Sequence, residues 1–315
     1  MQVEKLKTID ADTLLSTPMR KTLFVVDGLI PQGLSVLSGS SKIGKSWLML
    51  WLGIQVARGQ PVWEFETHKN DVLYLCLEDT YARIQSRLYQ ITDEAPPELR
   101  IATTSFQIGN GLEQQIEQYL SDFPKTKLVI IDTFQKVRDS KSTGGKNGMY
   151  AGDYDDVSAL KNISDKYGIA VLVVHHVRKL KDVSDPFNEV SGSTGITGAA
   201  DTNFVLKRSR ANETGTLLAT GRDIAYQELT LKFDNRSHLW ELVERKDMED
   251  IHREEIPKFI FRLVDYISEV KEWRGTATQL ITQMNETEVT PNVVTKMLAR
   301  FSSEAVRQAL PDLTL

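Results

Sequence analysis

The sequence predicts an α/β fold: a mainly parallel sheet with antiparallel strands toward its C-terminal end, followed by a small all-α unit. Three observations carry this expectation. Between about residues 30 and 242, strand-length apolar runs alternate with segments of helical periodicity, the pattern of βαβ units. The first strand opens into Gly39-Ser40-Ser41-Lys42-Ile43-Gly44-Lys45-Ser46, a G-x-x-x-x-G-K-S loop that runs directly into a helix. After a charged run at 243–256, three short helical patterns cover 257–271, 276–285 and 291–302.

The strand before the loop is Leu34-Ser35-Val36-Leu37, entered from the turn Pro31-Gln32-Gly33. After it, Trp47, Leu48, Leu50, Trp51 and Ile54 recur at helical spacing, and Gly59 with Pro61 ends the helix. Strand, glycine loop and helix N-terminus together form an anion cradle, with backbone N–H groups around a phosphate and the positive dipole end behind it. Lys45 is spaced to reach the β- and γ-phosphates, and the Ser46 hydroxyl to take one site on Mg²⁺. Gly39, Ser41, Lys42, Ile43, Gly44, Lys45, Ser46 and Trp47 are therefore the candidate nucleotide-binding residues, with ATP and Mg²⁺ as the implied ligands.

The later elements follow the same logic. Residues 72–77 form an uninterrupted apolar run, as in a strand covered on both faces, and end in Glu78-Asp79. Thr80 starts a helix to about Gln90, and Pro96-Pro97 marks a loop. Leu112, Ile116 and Tyr119 outline a helix, and residues 128–131 a strand that closes on Asp132. Tyr154, Val157, Leu160 and Ile163 mark the next helix, and 170–174 a strand running into His175-His176. From Asp201 the pattern changes to four antiparallel strands, at 203–208, 215–221, 228–233 and 238–242.

Polar residues thus end three successive strands. A carboxylate such as Asp132 emerges at the C-terminal edge of the sheet, where ligands sit in open α/β folds, and is placed to hold Mg²⁺ through water. Glu78 closes its own strand in the same way, and a carboxylate beside a γ-phosphate can polarise the attacking water. Asp79 competes for that part. His175 and His176 point to opposite faces of their strand, so only one of them can face a nucleotide.

At 315 residues the chain has room for a large domain at 1–245, a linker at 246–256 and a small domain at 257–315. An apolar share of 41% and a charged share of 26% are those of a soluble globular protein. The longest apolar stretch, 47–57, is too short to span a bilayer, and the N-terminus lacks the apolar core of a signal peptide. The single cysteine, Cys76, lies inside an apolar strand, which leaves no disulfide and no cysteine metal site. These features predict a cytoplasmic protein without a membrane partner. A net charge of −5 excludes a basic coat for gripping duplex DNA, but not nucleic acid held by a few local loops.

Taken in order, the G-x-x-x-x-G-K-S loop, the strand ending in Glu78-Asp79, the run Leu128-Val129-Ile130-Ile131-Asp132, the run His175-His176-Val177-Arg178-Lys179, and the segment from Ser191 to Asp201 resemble the RepA-like branch of RecA/DnaB-type hexameric helicase ATPases of phages, plasmids and mobile elements. The resemblance covers roughly residues 10–242. It implies a RecA-like core assembled as a ring, a hexamer, that acts as an ATP-dependent helicase on single-stranded DNA during replication of such an element. A non-unwinding DNA-dependent ATPase, such as a helicase loader or recombination mediator, is the alternative. A small-molecule kinase would need an arginine-dense lid, and none lies between the last two core strands.

By the same resemblance, Glu78 is the water-activating glutamate and Asp132 the Mg²⁺-coordinating aspartate. His176 is the γ-phosphate sensor, with His175 as runner-up, and Arg83 packs on the adenine face. Arg222, in Thr220-Gly221-Arg222-Asp223, is the arginine finger reaching a neighbouring subunit's ATP, with Arg208 and Arg210 as alternatives. Two polar loops would line the ring's channel: 136–152 with Arg138, Lys141 and Lys146, and 178–191 with Arg178, Lys179 and Lys181. Residues 273–280 and 290–298 resemble a winged-helix or helix-turn-helix unit of mobile-element replication ATPases. Only thirteen residues follow Ser302, so wing strands are short or missing, and that unit is open to DNA or to replication proteins.

Overall fold

The computed structural model describes residues 6–19, 22–138, 148–176, 187, 194–209, 212–271 and 273–301. Two compact units divide the chain, residues 1–245 and 246–315. In the first, α1 (Ala11–Ser16) and the small antiparallel pair β1 (Phe24–Val26) and β2 (Ile30–Pro31) precede the main sheet. There follow β3 (Gly33–Gly39), α2 (Lys45–Arg58), β4 (Asp71–Cys76), α3 (Tyr81–Ile91), β5 (Leu99–Ala102), α4 (Leu112–Asp122) and β6 (Thr126–Asp132). Next come α5 (Phe134–Val137), α6 (Gly148–Tyr167), β7 (Ala170–His176) and α7 (Thr194–Ala199). The strands β8 (Thr202–Arg208), β9 (Thr214–Gly221), β10 (Gln227–Phe233) and β11 (Trp240–Asp247) complete the sheet.

Nine strands lie side by side in the order β11-β10-β9-β8-β3-β7-β6-β4-β5. From β8 through β5 the neighbours run parallel, whereas β8–β9 and β9–β10 are antiparallel. The strand at 203–208 therefore carries both relationships: it is the last parallel strand and the first member of the antiparallel set.

The uninterrupted apolar runs have a direct cause. Side chains alternate across a strand, so Leu128, Ile130, Leu172 and Val174 enter one core while Val129, Ile131, Val171 and Val173 enter another. The first core packs against α2 and α3, through residues such as Leu48, Leu52 and Ile84. The second packs against α4 and α6, through Leu112, Ile116, Leu160 and Ile163. A sheet clothed on both faces leaves only its strand ends open to solvent.

Register sets what meets at those ends. Gly39 is level with His176, Ser38 with His175, Asp132 with Val174, and Cys76 with Asp132. Because β7 lies between β3 and β6, the chain following Gly39, Cys76, Asp132 and Val174 leaves the sheet along one edge.

The charged run, open in sequence to a solvated linker or a helical connector, begins as strand and continues as helix. β11 continues through Val243 to Asp247, and α8 (Met248–Glu255) follows, its N-terminus closed by a reciprocal cap between Asp247 and Asp250. The second unit continues with α9 (Lys258–Val270), α10 (Ala277–Gln283) and α11 (Pro291–Phe301). Phe259, Ile260, Leu263 and Ile267 of α9 pack with Leu280 and Val294 in its core. Among the described residues this unit holds helices and no strand after Asp247; the residues after 301, where a wing would follow, lie outside the described residues. Among the described residues, no helix is long and apolar enough to cross a membrane.

Candidate active site

Gly44 caps α2 with φ 101°, and a methyl group there would lie 3.1 Å from Nε1 of Trp240. At Gly39 a methyl group would sit 2.6 Å from the Leu206 carbonyl oxygen. Both loop glycines are thus demanded by space, and Gly44 also by backbone conformation. Ser41 and Lys42 are exposed at the loop tip and Ile43 is buried beneath it. Trp240 of β11 braces the loop from outside, its indole N–H donating to the Gly44 carbonyl at 3.3 Å.

Lys45, the first residue of α2, is only 4% exposed. Its Nζ donates to the carbonyls of Gly39 at 2.7 Å and Ser40 at 2.8 Å, and lies 3.1 Å from Nδ1 of His176. Burial pulls the ammonium down to about 8, against the opposing pull of Asp132 and Glu78. Since an ammonium can only donate, His176 accepts through Nδ1 and carries its proton on Nε2, 3.7 Å from Glu78 Oε2.

Asp132 is buried at the end of β6 and accepts a hydrogen bond from the Tyr74 hydroxyl at 3.0 Å and another from Ser46. Burial raises its carboxyl above the usual range, while the bonds from Ser46 and Tyr74 oppose that shift. Tyr74 is held well above its ordinary value by burial and by Asp132, and the Cys76 thiol is pushed up to about 12 for the same reasons. Both stay protonated, and the Tyr74 hydroxyl is a donor to Asp132.

The two pairs that the residues alone left open, and that only the resemblance ranked, differ in their surroundings. Asp79 is 7% exposed and ion-paired to Arg83 at 2.7 Å and Arg87 at 2.6 Å, whereas Glu78 stands open beside His176. His175 points to the other face, edge-on to Phe134 at 5.9 Å between ring centroids. Its Nδ1 has no hydrogen-bond partner among the described residues, and burial, with Arg138 nearby, lowers it to about 4.

The other expected residues either have partners of their own or lie outside the described residues. Arg83 is committed to Asp79. Trp47 is half-buried, its ring 4.3 Å from that of His238, with the Arg87 guanidinium 5.3 Å above it. Arg138 is no free cation facing a channel: it is ion-paired with Asp153 and with Asp156, the latter at 3.2 Å. Lys141, Lys146, Arg178, Lys179, Lys181 and Arg210 lie outside the described residues. Arg208 packs over Phe233 at 4.3 Å and Trp240 at 5.3 Å.

Arg222 does not join its own loop. Gly221 is level with Thr202, and Thr202 with Ser35, four residues short of Gly39. At a strand rise of about 3.3 Å per residue, Arg222 sits roughly 13 Å or more from the loop edge, at the opposite end of the sheet. Its side chain is 65% exposed and pairs with Asp201 at 3.3 Å.

Sequence reasoning missed Tyr74, Arg87 and Trp240. Tyr74 carried a usable signal, since a buried tyrosine needs a partner for its hydroxyl and Asp132 ends the adjoining strand. Arg87 and Trp240 had none: Arg87 reaches back from α3 to Asp79 in the loop before that helix, and Trp240 meets Gly44, 196 residues away in sequence.

The AAA domain family profile, AAA_25, matches residues 2–182. Comparison with curated proteins gave no match. Among solved structures, one described as an ATPase domain aligns with a TM-score of 0.56 at 14% identity, over 68% of this chain and 85% of that one. Another, a DnaB-like replicative helicase described with its interactions with primase, also gives 0.56 at 14% identity, over 71% of this chain and 63% of that one. Likeness at this identity is one of fold, and it agrees with the RecA-like sheet described above.

Proposed function

The chain belongs to the AAA domain family, AAA_25, and from that premise we propose that it is an ATP-hydrolysing motor of the ring-helicase type acting on single-stranded DNA. The observation that carries this reading is the meeting of Lys45, Ser46, Glu78, Asp132 and His176 at one edge of four adjacent parallel strands.

The residues fit the ligands. Lys45 spends its donors on the loop's own carbonyls, and a triphosphate offers that buried ammonium charged oxygens to exchange for them. Ser46 and Asp132 are already bonded to each other and offer hard oxygen ligands of the kind Mg²⁺ prefers. Among the described residues no group of three or more His, Cys, Asp or Glu could hold a metal alone, so the remaining ligands would be phosphate oxygens and water. When bound, Mg²⁺ would neutralise charge on the β- and γ-phosphate oxygens.

Glu78 is the base that accepts the proton of the attacking water. His176 joins it to Lys45, so that loss of the γ-phosphate changes both contacts at once. Arg222 lies too far from its own loop to take part there, which favours a role in a neighbouring subunit's site and hence a ring, a hexamer in this reading. The similarity to a replicative helicase described with primase supports replication as the setting, with the C-terminal helices as a surface for replication proteins. A phage or mobile element is the expected source.

The test is ATP turnover with and without single-stranded oligonucleotide, run beside strand displacement on a forked duplex. Turnover should rise with the oligonucleotide, and both activities should vanish in Lys45→Ala and Arg222→Ala. Stimulated turnover without strand displacement selects a non-unwinding ATPase. Full turnover by a strict monomer, indifferent to DNA, overturns the proposal.

A further inference from the structure

The segment ending in Gly198-Ala199-Ala200-Asp201 brings a heavily bonded carboxylate, Asp201, to the opposite edge of the sheet. Asp201 is buried, and its Oδ2 accepts the Leu34 N–H at 2.9 Å. Both carboxylate oxygens accept from Lys161 Nζ at 2.7 Å, and Oδ1 lies 3.3 Å from Arg222 Nη1. The main chain repeats the connection: Asp201 N–H donates to Leu34 O at 2.8 Å, and Arg222 N–H donates to Asp201 O at 2.9 Å. A methyl group on Gly33 would lie 2.7 Å from Asp201 Oδ2, and one on Gly221 would lie 2.7 Å from Thr202 Oγ1 and 2.8 Å from Asp201 O. The carboxylate borders a cavity of about 620 Å³ that is also lined by Lys127, Lys161, Asp165, Lys166 and Asp223.

We infer that Asp201 is the positioning residue for Arg222, holding the guanidinium where a neighbouring subunit's phosphates can take it over. This rests on the reading of Arg222 as a residue acting in trans. The two cations on Asp201 differ in kind. Lys161 is close, bonded to both oxygens and largely covered, although it also touches Asp165 at 3.4 Å. Arg222 is a single, longer and solvent-exposed contact. Lys161 and the Leu34 N–H therefore satisfy the buried charge permanently, and Arg222 can leave without stranding a carboxylate. The arrangement orients the arginine before any partner arrives and releases it readily, which is what preorganisation of a transition-state donor requires.

The experiment is complementation in trans. Lys45→Ala protomers lack a working loop but keep Arg222 and Asp201, so they are mixed in turn with Arg222→Ala and with Asp201→Asn protomers, each inactive or slow alone. Asp201→Asn alone should turn over at least tenfold more slowly, while the affinity of the isolated protomer for a fluorescent ATP analogue changes less than twofold. Mixing either variant with Lys45→Ala should restore turnover well above the sum of the separate rates. Restoration with Arg222→Ala but not with Asp201→Asn overturns the positioning role while leaving the trans arginine intact. Failure with Arg222→Ala overturns the trans reading itself. Should Asp201→Asn not fold, as judged by its thermal melt, Lys161→Met carries the same test. Among the described residues it leaves Arg222 as the one cation paired with Asp201, so the arginine should be held back and turnover should fall in the same complementable way. A Lys161→Met protein with undiminished turnover counts against the proposal.

Discussion

Nζ of Lys45 lies 3.1 Å from Nδ1 of His176, so the helix that follows the nucleotide loop is tied to the strand between the two acidic ones and the loop's own. That contact is available only while the ammonium faces inward, onto its own loop.

Nucleotide binding should therefore take up protons. Lys45 stands near 8 in the free protein, below its ordinary 10.5, because burial disfavours the charge. Polyphosphate oxygens favour the charged form and raise it again. Titration calorimetry at pH 8 in buffers of different ionisation enthalpy should show roughly half a proton gained, and almost none at pH 6.5. Equal uptake at both values would contradict the assignment. Without ligand, the unfolded chain holds the extra proton between pH 8 and 10.5, so this group's contribution to stability rises with pH across that window.

His175 should matter for acid stability and little for turnover. Its folded value near 4 lies below the ordinary 6.5, so the unfolded chain binds more protons between those limits. The stability contributed is present above pH 6.5 and falls as pH drops through the window. His175→Phe should flatten the melting temperature between pH 6.5 and 4 and keep ATP turnover within a few-fold. His176→Ala should do the reverse. Equal loss of turnover in both would place the sensor elsewhere.

Glu78→Gln should bind nucleotide normally, melt at an unchanged temperature and lose roughly 10²-fold or more in turnover, the usual scale for removing a general base. Asp79→Asn releases Arg83 and Arg87 from a buried carboxylate and should lower the melting temperature instead. Thermal melts and steady-state rates on the two variants decide between the neighbours.

Gly44→Ala should cost about 1–3 kcal/mol through its positive φ. The new methyl group also presses on Trp240. A titration with fluorescent nucleotide should show affinity lost by at least tenfold, and unchanged affinity would mean that the loop is not the cradle.

The parallel half of the sheet was legible because strands covered on both faces read as unbroken apolar runs, as β4, β6 and β7 do. The outer half of β11 was not, since an edge strand with Val243, Glu244 and Arg245 in solvent looks like a charged connector. β5 hid for a similar reason, with all four residues only partly buried behind Pro96-Pro97. Within the site, the polar residue types at strand ends were readable. The difference in surroundings between Glu78 and Asp79 was not, because it depends on which arginines of α3 fold back. The antiparallel direction of β9 was expected, but the position of Arg222 also depends on its register, Gly221 against Thr202, which its own residues do not state.

Gly221 leaves no space for even one carbon between Thr202 and the Asp201 carbonyl. The joint before Arg222 therefore has no slack: the arginine is carried by the sheet as a tooth is carried by its gear. In the ring proposed here, any tilt of one protomer against another would be passed to the guanidinium, and its fit to a neighbour's phosphates would report the angle between whole subunits.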